Sequence, residues 1–264
     1  MKEITSVCIL GSGNVATHFA KSIKKAGLEL FQIFNRTESK AKELAETVGC
    51  SYISDITRIY ENAGLYLFAV SDSAISKVLK SRKWEGKVLA HTSGSIPSDI
   101  FKSYTDRFGA IYPLQSFTKE REIDFFKIPF FIEANSPDTL TSLKSFTRKL
   151  SGKVYEIDPA RKAILHLAAV FASNFSNHMY SIAFELLKRN NLPFEYLGPL
   201  IEETMHKALK INPGNIQTGP AVRNDQEVII RQIEMLANEP EWQKIYTFVS
   251  KSIQKYHISS DGEF

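Results

Sequence analysis

Val7-Cys8-Ile9-Leu10-Gly11-Ser12-Gly13-Asn14-Val15-Ala16 sets the reading of this chain. The run 7–10 is apolar without interruption, as in a strand buried on both faces. It ends in two glycines one residue apart. Over residues 14–25 apolar side chains return at helical spacing, with Val15, Phe19, Ala20 and Ile23 on one stripe. Strand, glycine turn and helix is the context that a G-x-G-x-x-G/A dinucleotide-binding fingerprint requires, and Ala16 fills its third position. Gly11 suits a tight turn that a β-carbon would resist. Gly13 lets a pyrophosphate reach the backbone, and Ala16 keeps helix and strand close. Ser12, Asn14 and Val15 complete the turn, and the helix start offers unpaired N–H groups to phosphates. An ordinary strand–helix turn with glycines is the alternative.

The 264 residues suit one large or two medium domains. With 43% hydrophobic and 23% charged residues, the chain can bury a sizeable core. The net charge of +4 is mild and the basic residues are scattered, so nucleic-acid binding is not expected. Neither cysteine, Cys8 or Cys50, lies in a CxxC pair; both read as small buried hydrophobes, and no metal site is expected. No signal peptide is expected, since the chain enters a strand at once, and the cytoplasm is the default location. The uncharged stretch 163–184 carries His166, Asn174, Asn177 and His178, which argues against a membrane span.

Residues 28–34 read as a second strand and 37–48 as a helix capped by Thr37. An acidic residue at the end of the second strand would hold the ribose 2′-hydroxyl of NAD. Here Asn35, Arg36 and Thr37, followed by Ser39 and Lys40, suit a 2′-phosphate, and NADP(H) is the expected cofactor. Strands follow at 52–53, 64–70 and 87–91. Val70, Ser71 and Asp72 close the fourth strand, beside the expected cofactor; Asp72 either caps the helix 74–79 or contacts the cofactor. His91-Thr92-Ser93-Gly94-Ser95 ends the fifth strand. Its hydroxyls and N–H groups either face nicotinamide and substrate or cap a helix at 97–104. Strands at 108–112, 129–134 and 153–157 and a helix at 138–150 complete the sheet region, with 113–117 crossing the cleft as a loop.

After Asp158-Pro159 no strand pattern remains. The expected fold is therefore an α/β Rossmann-like domain with a mostly parallel sheet over 1–158, followed by an all-α domain over 159–264. Residues 160–189 read as a long helix with one break allowed. Ile164, Ala168, Phe171, Phe175, Met179, Ile182 and Leu186 share one side. His166, Ser173 and Asn177 share the opposite side, with Asn174 and His178 flanking it. A polar face without Lys or Glu suits a cleft or a partner helix. His166 or Asn174 can meet a substrate there, or both can be hydrogen-bonded across an interface. A helix at 196–209 turns Leu200 and Met205 inward. A loop at 211–225 holds Arg223, for a substrate carboxylate or a clamp with Asp225, which can also cap the next helix. A last helix buries Trp242, Ile245, Phe248, Val249 and Ile253, and 261–264 reads as a frayed tail.

GSGNVATHFA, IFNRT, HTSGS, YPLQSF, HLAAVFASNFSNHMY and TGPAVRND, in this order, resemble a bacterial family. Its members join a Rossmann-like domain to a helical C-terminal domain of unknown function and are described as NADP oxidoreductases. Pyrroline-5-carboxylate reductase and the β-hydroxyacid dehydrogenases are more distantly similar. The resemblance implies NADP(H) binding at Gly11, Gly13 and Ala16 and at Asn35-Arg36-Thr37. It also implies substrate contact at Ser93-Gly94. The hydroxyacid enzymes carry a lysine four residues before an asparagine; here Asn174 has Val170 in that place, and His166 can stand in for the missing lysine, a role the resemblance itself does not assign.

The first expectation is hydride transfer between NADP(H) and a small carbonyl, imine or hydroxyacid, with Ser93, His166 and Asn174 at the substrate. The second is an NADP(H)-binding redox sensor or assembly module without turnover. The long helix is apolar over more surface than one small domain covers, so a homodimer through the helical domain is expected.

Overall fold

The computed structural model describes residues 3–260; the tail expected at 261–264 lies outside them. The chain forms two compact units that divide between Phe175 and Ser176.

In the first unit eight strands form one sheet in the order β3-β2-β1-β4-β5-β6-β7-β8. They are β1 (Ser6–Leu10), β2 (Glu29–Phe34), β3 (Ser51–Ile53), β4 (Leu65–Phe68), β5 (Val88–His91), β6 (Arg107–Pro113), β7 (Pro129–Ala134) and β8 (Lys153–Glu156). Every pairing is parallel except β6 with β7. The α/β expectation therefore holds. The order reverses between β1 and β4, and ligands of such sheets bind beyond the strand ends at that crevice. All five residues of β1 are buried because the strand is covered on both faces. Val7, Ile9, Leu65 and Leu67 join a core with Phe19, Phe125 and Phe130. Cys8, Leu10, Tyr66 and Phe68 alternate into a second core with Trp84 and Phe101.

Helices α1 (Asn14–Lys25), α2 (Glu38–Val48), α3 (Asp72–Lys80) and α4 (Pro137–Arg148) join these strands. The helix expected at 97–104 is only a 3-10 turn, Ser98–Phe101. Thr105 ends it: its hydroxyl donates to Lys87 O, which returns the chain to the sheet. Helix α5 (Pro159–Ala169) starts on Pro159, with the Asp158 carboxylate accepting from Arg161 N. It runs into a wide π-helical turn, Val170–Phe175.

The second unit contains α6 (Ser176–Arg189), α7 (Gly198–Lys210), α8 (Gln226–Met235) and α9 (Pro240–Ser260). The Asp225 carboxylate caps α8 by accepting from Val228 N. Arg223 is exposed and makes no clamp with it. Among the described residues the inward stripes expected here are covered only in part: Trp242, Ile245 and Ile253 are half-buried. Leu200 is 63% exposed, Met205 50%, Val249 42% and Phe248 76%. Helical periodicity identified the apolar faces but not what covers them. No described helix is long and apolar enough to cross a membrane.

Candidate functional site

Gly11 has φ +123°, and a Cβ there would lie 2.1 Å from Ala69 O, so only glycine allows β1 and the end of β4 to approach this closely. A Cβ at Gly13 would meet nothing within 4 Å, which leaves open space over the backbone. No side chain caps the start of α1, so its N–H groups are not taken by a cap. A cavity of about 540 Å³ opens here, lined by Gly11, Ser12 and Gly13, by Asn35, Arg36 and Thr37, and by Val70 and Ser71. Its charged lining residues are Arg36, Lys40 and Lys77, all exposed and all cationic. Asn35 organises the turn: its amide donates to Ser12 Oγ at 2.6 Å and its Oδ1 accepts from Thr37 N at 2.8 Å. Thr37 occupies the cap position of α2, but its side chain makes no cap bond, a correction to its expected role.

Val70 also lines a second cavity, of about 560 Å³. Val15, Asp72, Thr92, Ser93, Gly94, Tyr112, His166 and Asn174 contribute to its wall, with the 113–117 loop along one side. Asp72 is its single charged lining residue besides the titratable His166 and Tyr112. The π-helical turn brings Ala172, Ser173 and Asn174 onto the same cavity; such turns recur at functional sites. Asn14 lines neither cavity. Its amide donates to Phe117 O at 2.8 Å and ties α1 to the crossing loop.

The Ser93 hydroxyl accepts from Ser95 N and Ile96 N and lies 3.1 Å from Ser95 Oγ. Ser95 Oγ donates to the Asp72 carboxylate at 2.5 Å, so Ser93 donates to Ser95. Ser93 is thus both a cavity residue and the former of its own turn. Asp72 is not a cap: Ser71 holds that position in α3, and the Asp72 carboxylate ties α3 to the 93–95 turn.

Behind the turn lies a buried charge pair. Lys162 Nζ is 3.2 Å from Glu133 Oε1, with both side chains at most 2% exposed. Lys162 also donates to Ile96 O at 2.7 Å, and Glu133 accepts from Ser98 N at 2.6 Å. Burial pulls the Lys162 ammonium below its ordinary range, and the Glu133 charge opposes this. His91 is fully buried, accepts from Ser93 N at Nδ1, and is pushed down to about 3 by burial and then by the Lys162 charge. It is a neutral structural residue. Among the described residues no group of three or more His, Cys, Asp or Glu forms a possible metal site.

The structure therefore gathers fourteen of the fifteen expected residues on two cavities that share Val70, with Asn14 behind them. Lys77, Tyr112, Lys162 and Glu133 carried no local signal for these positions. Lys77 sits among other surface lysines of α3, and the other three meet only through the packing of β6, β7 and α5.

A doubly wound sheet with an open glycine turn and three cations beside it defines a nicotinamide dinucleotide-binding protein of the Rossmann class. Residues 6–93 match the family model described as NADP oxidoreductase, coenzyme F420-dependent, and residues 128–253 match a domain of unknown function, DUF2520. The Bacteroides fragilis protein BF3122, described as a candidate NADP oxidoreductase, is 40% identical, with 95% of this chain and 98% of that one covered and a TM-score of 0.89. An imine reductase of Myxococcus stipitatus in complex with NADP+ shares the fold at 13% identity, with 98% and 95% coverage and a TM-score of 0.70. A 1-pyrroline-5-carboxylate reductase of Streptococcus pyogenes does so at 14% identity, with 95% and 98% coverage and a TM-score of 0.62. Comparison with curated proteins finds no match. The chain belongs to the family of NADP oxidoreductases that carry a C-terminal DUF2520 domain, and its cofactor is NADP(H).

Proposed function

We propose that this protein moves hydride between NADP(H) and a small carbonyl, imine or hydroxyacid substrate. One observation carries the reading: a cavity with three cations and no carboxylate adjoins, across Val70, a nearly uncharged cavity that holds His166. The backbone of Gly11, Ser12, Gly13, Asn14 and Val15 would hold the pyrophosphate, and Asn35, Arg36, Thr37, Lys40 and Lys77 the 2′-phosphate. Val70, Ser71, Asp72 and Thr92 would flank the nicotinamide, which when bound donates or accepts the hydride. His166 hydrogen-bonds the substrate oxygen or nitrogen that gains a proton on reduction and gives one up on oxidation. Asn174 orients that polar group, and the turn made by Ser93 closes the opposite wall.

In this reading residues 1–158 are the cofactor domain, and 159–264 supply the substrate wall and a homodimer contact in the cytoplasm. Among the described residues, fourteen large apolar side chains of the second unit are exposed, which favours a second copy over solvent as their cover. Val170, where the hydroxyacid enzymes carry lysine, favours a second reading as an NADP(H)-binding sensor without turnover.

NADPH oxidation across keto acids, aldehydes and cyclic imines separates the two. Turnover of at least one class is expected, falling about 100-fold in His166→Ala. The pair Arg36→Ala and Lys77→Ala should weaken NADPH about 10- to 100-fold and leave NADH unchanged. Tight NADPH binding without turnover selects the sensor.

A further inference from the structure

Tyr112 and His166 come from distant parts of the chain and meet over Gly94. Tyr112 is the sixth residue of β6 and is buried, at 7% exposure. Its hydroxyl lies 3.1 Å from His166 Nδ1, and the two rings meet edge to face at 77° with centroids 5.8 Å apart. A Cβ at Gly94 would stand 2.7 Å from both His166 Nδ1 and Tyr112 Cζ. The missing side chain of Gly94 is therefore the room that the pair occupies. Lys162, one helical turn before His166, fixes α5 to the same loop through Ile96 O.

Proton counting decides the direction of the bond. A phenol has one proton, and no other acceptor for the Tyr112 hydroxyl exists among the described residues. Were Nδ1 to carry a proton, that hydroxyl proton would have no acceptor among the described residues. With Tyr112 donating, the hydroxyl and Nδ1 are both satisfied, and the ring in its neutral form keeps its proton on Nε2, for which no described residue is a partner.

We propose that Tyr112 is a positioning residue for His166, fixing the imidazole as the Nε2–H tautomer and aiming that N–H at the substrate's oxygen or nitrogen. This rests on the oxidoreductase reading for its use, but the tautomer is measurable without a substrate. Burial holds the Tyr112 hydroxyl above its ordinary range, which keeps it a donor throughout the neutral pH range.

The test is ¹⁵N-edited NMR of the histidine side chains of the full chain, with His166 assigned from His166→Gln. Wild type is expected to show Nε2 protonated and Nδ1 as an acceptor. Tyr112→Phe keeps the ring and removes the donor, so the Nδ1–H tautomer should appear. Gly94→Ala keeps the hydroxyl but displaces the rings, and should have the same effect. Where a substrate is found, Tyr112→Phe should lower kcat about 10-fold, a part of the whole His166 contribution, with a smaller change in KM. A wild-type proton on Nδ1, or spectra of both variants identical to wild type, overturns the proposal. Unchanged tautomers with turnover would sink the positioning role alone; the expected tautomers with no turnover of any class would sink the oxidoreductase reading instead.

Discussion

Phe68 and Phe130, in the sheet of the first unit, are fully buried, whereas Leu209, Met235 and Phe248 in the second are each more than three-quarters exposed. Both units are built from segments with apolar periodicity. They differ in what the periodicity meets. In the first unit a sheet presents two apolar faces, and helices connected along the chain cover both. In the second, α6 to α9 are amphipathic helices and the described residues form no strand, so each apolar stripe must find another helix. Periodicity says that a face will be buried. It does not say whether the cover comes from the same chain.

The strongest way to break this comparison acts on the first unit. Gly11→Ala adds backbone strain at a positive φ and a clash with Ala69 O, so a loss of about 3 kcal/mol or more is expected. Differential scanning calorimetry should show Tm lowered by about 10 °C, with NADPH binding abolished. A variant with unchanged Tm would mean that the turn is not built around that approach.

Next in size is an effect confined to the second unit. Light scattering at micromolar concentration should give twice the 29.8 kDa chain mass. Phe248→Asp should shift the mass toward the monomer, with about 0.5 kcal/mol or less taken from the isolated chain, because the side chain is already exposed there. A monomeric wild type would remove the second copy as the cover.

A last effect, read as a function of pH, sharpens the picture of the buried end of β5. His91 is held neutral with its pKa near 3, against 6.5 for the free group. Its contribution to stability is complete above pH 6.5 and is lost as pH falls from there toward 3, because the unfolded chain takes up a proton that the folded chain refuses. Urea unfolding should show a contribution falling by about 1.4 kcal/mol per pH unit in that window, taken as the difference from His91→Gln. A difference that does not vary with pH would place His91 in contact with solvent.

Much of the site was legible because it rests on local rules. The glycine turn, the absence of an acid after β2, and the hydroxyl-rich ends of β4 and β5 each need only a few adjacent residues. The 97–104 segment was read as a helix because its apolar spacing permits one, but Thr105 draws it back to the sheet after a single turn. Asp72 could be read as a cap because caps and loop ligands share residue types. Its bond to Ser95 spans 23 residues and follows only from the parallel pairing of β4 with β5.

The sequence by itself determined the doubly wound sheet and the place of its glycine turn, and it pointed to NADP(H), because these depend on steric freedom and charge within short segments. Only the tertiary structure decided that Tyr112 lies against His166 over Gly94 and that Lys162 and Glu133 neutralise each other beneath them. Those pairings join residues 29 to 54 positions apart. They exist because burying a phenol, an ammonium and a carboxylate is tolerable only where partners from other elements satisfy them, and no local pattern records which elements those will be.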